Sequence, residues 1–144
     1  MSFKLGSKSR KNLQGVHPDL VKVVERAIEI TPVDFTVFEG VRTLNRQRQL
    51  VAKGLSKTMN SRHIPGADGL AKAVDLVPLV DGKVTWENKH IRSHYIPMAK
   101  AVLQAADELN VPIRWGGDWD QDGTWTDEKF FDGPHFELPY KIYP

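Results

Sequence analysis

The apolar residues of "HPDLVKVVERAIEI" fall at Leu20, Val23, Val24, Ala27 and Ile28, a spacing that gathers side chains along one stripe of an α-helix. Pro18 suits the first helical turn, where its missing N–H has no partner to lose. The stretch "DFTVFEG" changes period: it alternates and is rich in β-formers, which predicts a strand. "TLNRQRQLVAKG" predicts a short helix ended by Gly54. "SKTMNSRHIPGADGLA" carries neither period and reads as a loop. In "KAVDLVPLVDGKVTW" two β-type runs flank Asp81-Gly82, a strong hairpin signal. "YIPMAKAVLQAADELN" sets Ile96, Ala99, Val102, Leu103, Ala106 and Leu109 on one stripe and predicts a second long helix, while "VPIRWGG" and "PHFELP" read as short strands. No repeat and no linker breaks this series. It predicts a single small α+β domain, an antiparallel sheet with packed helices, spanning residues 1–144 with no second domain.

Composition narrows the classes. At 144 residues, 40% hydrophobic and 26% charged, the chain is long enough to bury a core without staples. No apolar run approaches the length of a membrane span, and the basic "MSFKLGSKSRKNLQG" lacks the apolar segment and cleavage site of a secretory signal. The absence of cysteine excludes disulfides, thiol nucleophiles and thiolate zinc sites. The net charge of +2 hides an asymmetry: residues 1–62 hold 12 Lys/Arg against 5 Asp/Glu, and residues 63–144 hold 8 against 13. Two solvated faces account for this, as would a basic surface drawn to an anionic polymer beside an acidic region that gathers cations. The basic residues are scattered and not interleaved with aromatics, so nucleic acid is not an expected partner.

Candidate chemistry centres on histidines, since imidazole is the commonest protein metal ligand. His17 precedes a helix-starting proline and reads as a capping or surface residue. His90 and His94 are four apart, but only Glu87 offers a nearby acid and Pro97 interrupts the helix start, so they read as surface residues. His63 and His135 have acidic company. His135 follows Asp132 in "FDGPHFEL", a Gly-Pro turn opening into an apolar strand. Asp75 interrupts "AVDLVP" on the face of Ala73 and Val77, where an acid is costly to bury unless paired or bound to metal. An isolated His-x-Glu or Asp-x-x-His arises often by chance. Two acids and two histidines, all at loop–strand junctions, set a functional site level with the structural reading.

These residues carry a resemblance. "SRHIPG…AVDL" followed by "RWGGDW…DGPHFEL", together with "MSFKLG" and "FTVFEGVRT", resembles the zinc peptidases that cleave peptidoglycan stem peptides. That family includes D-alanyl-D-alanine carboxypeptidases and phage L-alanyl-D-glutamate endopeptidases, and the likeness covers nearly the whole chain, closest to the phage endolysin branch. It implies the small α+β fold shared with the hedgehog signalling domain. It implies His63, Asp75 and His135 as zinc ligands, Asp132 as general base, Arg42 as the group that steadies the substrate carbonyl, and Ser61 as a hydrogen bonder behind the ligands. In the family the aspartate follows the histidine by about seven residues, whereas Asp75 follows His63 by twelve. The extra residues fall in "ADGLAK", and added loop length costs little entropy. Asp68 is the rival ligand, but it sits beside Gly69 with no strand to fix it, so Asp75 is preferred.

In "DWDQDGTWTDE", Asp118, Asp120, Asp122 and Gly123 reproduce the opening of a calcium loop, but position twelve is Lys129. A solvated acidic turn is the other reading of this stretch. Trp115, Trp119 and Trp125 flank it, either as packing residues or, for Trp115 and Trp119, as the wall of a substrate cleft.

The resemblance therefore implies a monomeric zinc endolysin that cuts between L-Ala and D-Glu of bacterial peptidoglycan. It would be made in the host cytoplasm without a signal peptide and reach the wall once the membrane is permeabilised. The rival readings are a D-alanyl-D-alanine carboxypeptidase and a non-catalytic wall-binding module. The second has no use for a base such as Asp132.

Overall fold

A computed structural model of the chain describes residues 3–56, 59, 61–86, 91–117 and 132–144. The elements run α1 (Ser7–Asn12), α2 (Pro18–Ile30), β1 (Phe35–Glu39), α3 (Leu44–Ala52), β2 (Ala73–Val80), β3 (Lys83–Val84), a π-helical turn (Ile91–Tyr95), α4 (Ile96–Glu108), β4 (Arg114–Trp115) and β5 (His135–Glu137). The sheet order is β1-β2-β5-β4 with antiparallel neighbours, and β3 folds back onto the end of β2. The Asp81-Gly82 hairpin forms as predicted, with both residues at positive φ (52° and 76°), as a two-residue turn of this kind requires.

Alternate residues of a strand face opposite sides of its sheet, and the two sides of this sheet differ. Val37, Val74, Leu76, Trp115 and Phe136 join the buried stripes of α2 and α4 in one core. The α2 stripe is the predicted one, Leu20, Val23, Val24, Ala27 and Ile28, all buried. Each fully buried Val or Leu contributes roughly 1.5–3 kcal/mol. In α4 the core face is Met98, Ala99, Ala101, Val102, Ala105 and Ala106, whereas Leu103 and Leu109 of the predicted stripe are exposed. Leu103 lies about 100° around the helix from Val102 and so falls off the buried face, and Leu109 is the C-cap residue, where the helix ends.

The other side carries Glu39, Asp75 and His135 in consecutive register across β1, β2 and β5, with Glu137 opposite Ala73 and Arg114. A bulge between Val37 and Glu39 sets the two residues Phe38 and Glu39 against a single step of β2, which turns Glu39 onto the face of Asp75.

The sequence pattern did not reveal α1, whose "SKSRKN" has no apolar stripe. Tertiary hydrogen bonds account for it. Asn12 Nδ2 donates to the carbonyls of Val37 (2.9 Å) and Phe38 (3.2 Å), and Ser9 Oγ accepts from Val37 N–H (2.9 Å). The helix thus satisfies the outer edge of β1, which would otherwise be open to pairing. The C-terminal turn is tied down as well: Arg62 donates to the carbonyls of Leu138 and Tyr143, and the Tyr143 hydroxyl donates to Asp19 (2.8 Å). His17 caps α2, its Nδ1 accepting from Asp19 N–H at 3.1 Å, in keeping with its sequence reading.

Candidate metal centre

His63 comes from the loop before β2, Asp75 from β2 and His135 from the start of β5. One ligand atom from each lies within 4.8 Å of the others, a group that could hold a metal ion. The loop is stitched to the sheet through its backbone. Arg42 N–H donates to the His63 carbonyl (2.9 Å) and Lys72 N–H to the Arg62 carbonyl (2.8 Å). His63 itself is 1% exposed.

Each imidazole has one nitrogen committed elsewhere. His63 Nδ1 lies 2.8 Å from the Gly40 carbonyl, so it carries the proton and leaves Nε2 facing Asp75 Oδ1 at 3.2 Å. Gly40 is required here because a Cβ would collide with the carbonyl oxygen of Asn12. His135 Nε2 lies 2.8 Å from Glu137 Oε1, which leaves Nδ1 facing the same Asp75 oxygen at 3.4 Å. The rings stand edge to face with centroids 5.2 Å apart. Two imidazole nitrogens and one carboxylate, each ligand braced from behind, match the donor set and support that zinc favours.

The electrostatics of these residues point the same way. Burial works to raise the Asp75 carboxyl, but His63 and His135 overcome it and hold Asp75 well below the usual carboxylate range. Burial works to lower His135, yet its hydrogen bonds to Asp75 and Glu137 lift it to about 9. Asp132 is raised, first by burial and then by the charge of Asp75, with His135, His63 and Arg42 opposing. A buried carboxyl among these groups suits proton transfer better than a solvated one. The turn that presents it packs closely on β4: Asp132 N–H donates to the Gly116 carbonyl (2.8 Å), and a Cβ on Gly116 would collide with the Asp132 backbone.

Arg42 is anchored on several sides. It donates to Glu39 through Nε, to Gln47 Oε1 (2.8 Å) and to Ser61 Oγ (3.4 Å), and its remaining nitrogen lies 3.5 Å from Asp75 Oδ2. Ser61 Oγ also accepts from His63 N–H (3.2 Å), so it sits behind both Arg42 and His63. Asp68, the rival ligand, is engaged elsewhere: its Oδ1 takes the Lys72 ammonium (2.7 Å) and the Leu70 N–H (3.0 Å).

The family model for phage L-alanyl-D-glutamate peptidase matches residues 1–139. The chain belongs to the phage L-alanyl-D-glutamate peptidase family. It is 38% identical to the L-alanyl-D-glutamate peptidase of Escherichia phage T5, over 96% of this chain and 99% of the relative. It is 29% identical to the peptidase of the same name from Listeria phage A118, over 80% of this chain but 34% of that longer relative. Among solved structures it resembles the Serratia marcescens L-Ala D-Glu endopeptidase ChiX. That match has 39% identity and a TM-score of 0.78, covering 100% of this chain and 94% of the other.

In this peptidase family member, the structure gathers His63, Asp75, His135, Asp132, Arg42 and Ser61 into one place. Trp115 takes the packing role instead of the cleft wall: it is 7% exposed, stacks on Phe136, and donates from Nε1 to the Gly133 carbonyl at 2.8 Å. Trp119 and the calcium-loop candidates Asp118, Asp120 and Asp122 lie outside the described residues, as do His90 and Trp125. The sequence reading passed over Glu39, Gln47 and Glu137. For Glu137 a signal existed, because His-x-Glu on a strand puts both side chains on one face. Gln47 gave none, since a single polar residue on a helix is ordinary until the tertiary fold buries it.

Proposed function

We propose that the chain is a zinc-dependent peptidoglycan hydrolase that cuts the L-Ala–D-Glu bond of the stem peptide. The observation that carries the reading is the His63–Asp75–His135 group with Asp132 and Arg42 around it, in a chain of this family. Zinc held by those three residues would supply the Lewis acidity that lets water attack a peptide carbonyl near neutral pH. Asp132 takes the proton of the attacking water and passes it to the leaving amine. Arg42, held by Glu39, Gln47 and Ser61, keeps a fixed cation beside the ligands for the oxygen on which charge develops, a role often worth a few kcal/mol. Glu137 and the Gly40 carbonyl orient the two imidazoles.

The protein works as a monomer on the bacterial wall, reached from the host cytoplasm once the membrane is permeabilised. Among the described residues no helix is long and apolar enough to cross a membrane. The decisive test is mass spectrometry of fragments released from purified peptidoglycan by zinc-loaded and chelator-treated protein. New N-terminal D-Glu and new C-terminal L-Ala, only in the zinc-loaded sample, are expected. Release of free D-Ala would assign a carboxypeptidase instead.

A further inference from the structure

Two aromatic side chains beside the metal centre have no role in the mechanism above. Phe38 is 41% exposed and Trp86 is 55% exposed, yet their rings meet edge to face with centroids 5.0 Å apart. Large apolar groups left together at a surface mark a contact site more often than isolated ones do.

Their position follows from the strand register. Asp75, Val77 and Leu79 point to one side of β2. Val84 pairs with Leu79, and Thr85 N–H donates to the Pro78 carbonyl (3.2 Å), so the chain leading to Trp86 runs back along β2 towards Val77. Along the opposite edge of β2, Phe38 is the bulge residue beside Glu39, the partner of Asp75. The pair therefore straddles β2 on the Asp75 face near Val77, roughly 7 Å along the strand from Asp75. Tyr95 supports this placement. Its hydroxyl donates to the Thr85 carbonyl at 2.6 Å, and burial, followed by the charges of Asp132 and Asp75, pushes it up to about 12. The backbone entering Trp86 thus lies within electrostatic reach of both site carboxylates.

The chemistry of the substrate says what belongs there. In peptidoglycan the L-Ala nitrogen is acylated by the lactyl group of N-acetylmuramic acid. One amino acid spans about 3.5 Å, so a bound L-Ala–D-Glu bond brings that sugar within roughly 10 Å of the metal centre. The apolar C–H face of a pyranose stacks on aromatic rings such as the exposed Phe38 and Trp86, with Lys8 Nζ 6.0 Å from the Phe38 centroid.

We infer that Phe38 and Trp86 form a subsite for the N-acetylmuramic acid of the glycan strand, on the acyl side of the scissile bond. The inference rests on the L-Ala–D-Glu reading of the site. It makes the protein a reader of sugar-linked peptide and not of free stem peptide.

The test compares an N-acetylmuramyl stem peptide with the same peptide carrying an acetyl group in place of the sugar. Kinetics of the wild type, Phe38→Ala and Trp86→Ala are combined with calorimetric binding of a disaccharide-linked muropeptide to Asp132→Ala with and without Trp86→Ala. Trp86→Ala should raise KM for the muramyl peptide about tenfold, from the usual worth of one aromatic contact, and leave kcat/KM for the acetyl peptide unchanged. Binding of the muropeptide should weaken by a similar factor. Equal losses on both substrates, or no loss on either, would overturn the subsite. So would a concentration-dependent dimer of the wild type that disappears in Trp86→Ala, because the patch would then serve a second copy of the chain. If the wild type cuts neither peptide at L-Ala–D-Glu, the proposed activity fails, and the binding arm still decides the sugar contact by itself.

Discussion

Replacing Glu137 asks whether the carboxylate behind His135 sets the strength of the metal site. Glu137 is 7% exposed, and its Oε1 takes the His135 Nε2 proton at 2.8 Å while Oε2 faces Arg114 at 3.3 Å. Burial opposes its ionised form, but His135, Arg114 and Arg62 hold its carboxyl below the usual range, so the partner of the imidazole is a carboxylate. A hydrogen bond to a charged group is worth about 1.5–3 kcal/mol net, which corresponds to roughly 10–100-fold in an equilibrium constant. That range matches the typical cost of losing a residue that braces a ligand. Glu137→Gln keeps an acceptor but loses the charge and should weaken zinc about tenfold; Glu137→Ala should weaken it about a hundredfold. The assay is competition against a chelator, with circular dichroism to confirm the fold. A second measure is the rise in melting temperature on adding zinc, since a hundredfold loss removes up to about 2.7 kcal/mol of ligand stabilisation. Unchanged zinc affinity in a folded Glu137→Ala protein would refute the reasoning, because His135 would then need no acceptor to present Nδ1.

Further outcomes separate the remaining roles. Asp75→Ala should lose zinc and activity, whereas Asp68→Ala should keep both and melt lower because buried Lys72 loses its carboxylate partner; metal analysis beside a thermal melt distinguishes them. Asp132→Ala should fold and hold zinc but lose hydrolysis by roughly 10²–10⁴, and near-normal turnover would assign the base elsewhere. In the metal-free protein His135 lies at about 9, above the ordinary imidazole value near 6.5. Its contribution, up to about 3 kcal/mol, is complete below pH 6.5 and lost as pH rises through 9, so the metal-free melting temperature should fall across that window while zinc, which displaces the proton, stabilises progressively more. Calcium titrated into the zinc-loaded protein, with Asp120→Ala/Asp122→Ala as control, tests the sequence reading of "DWDQDGTWTDE"; no heat and an unchanged lytic rate would leave an acidic turn.

Much of this was legible from periodicity and from rare residue types in costly places. The α2 stripe and the Asp81-Gly82 turn follow from local rules, and both formed as read. Asp75 could be found because an acid inside an apolar strand needs a reason, and its reason is two histidines and Arg42. What stayed hidden depends on contacts distant in sequence. The α1 segment is helical because the edge of β1 needs partners 25–28 residues away. Arg42 is held by a glutamine that becomes informative only once α3 buries it. Trp115 illustrates the opposite failure: beside a candidate site it suggested a cleft wall, but its position in β4 opposite Phe136 assigns it to the core.

The twelve-residue spacing between His63 and Asp75 shows how such a site accommodates a long loop between two of its residues. Ligand geometry is fixed at both ends of the loop. Before it, Ser61, Arg42 and Gly40 hold His63; after it, β2 holds Asp75 between β1 and β5. The intervening residues form a closed unit of their own, in which Asp68 accepts from Leu70 and Lys72, and Gly66 N–H donates to the Leu70 carbonyl at 3.1 Å. An aspartate that looks like a ligand in the sequence thus closes the loop that separates the true candidates. The same logic explains the charge balance among Asp75, His63 and His135. Asp75 is kept ionised in a buried place where burial alone would neutralise it, and the proton retained by His135 supplies the balancing positive charge. A site already organised around one cation has little left to rearrange when a metal replaces the proton, which is the physical content of calling it preorganised.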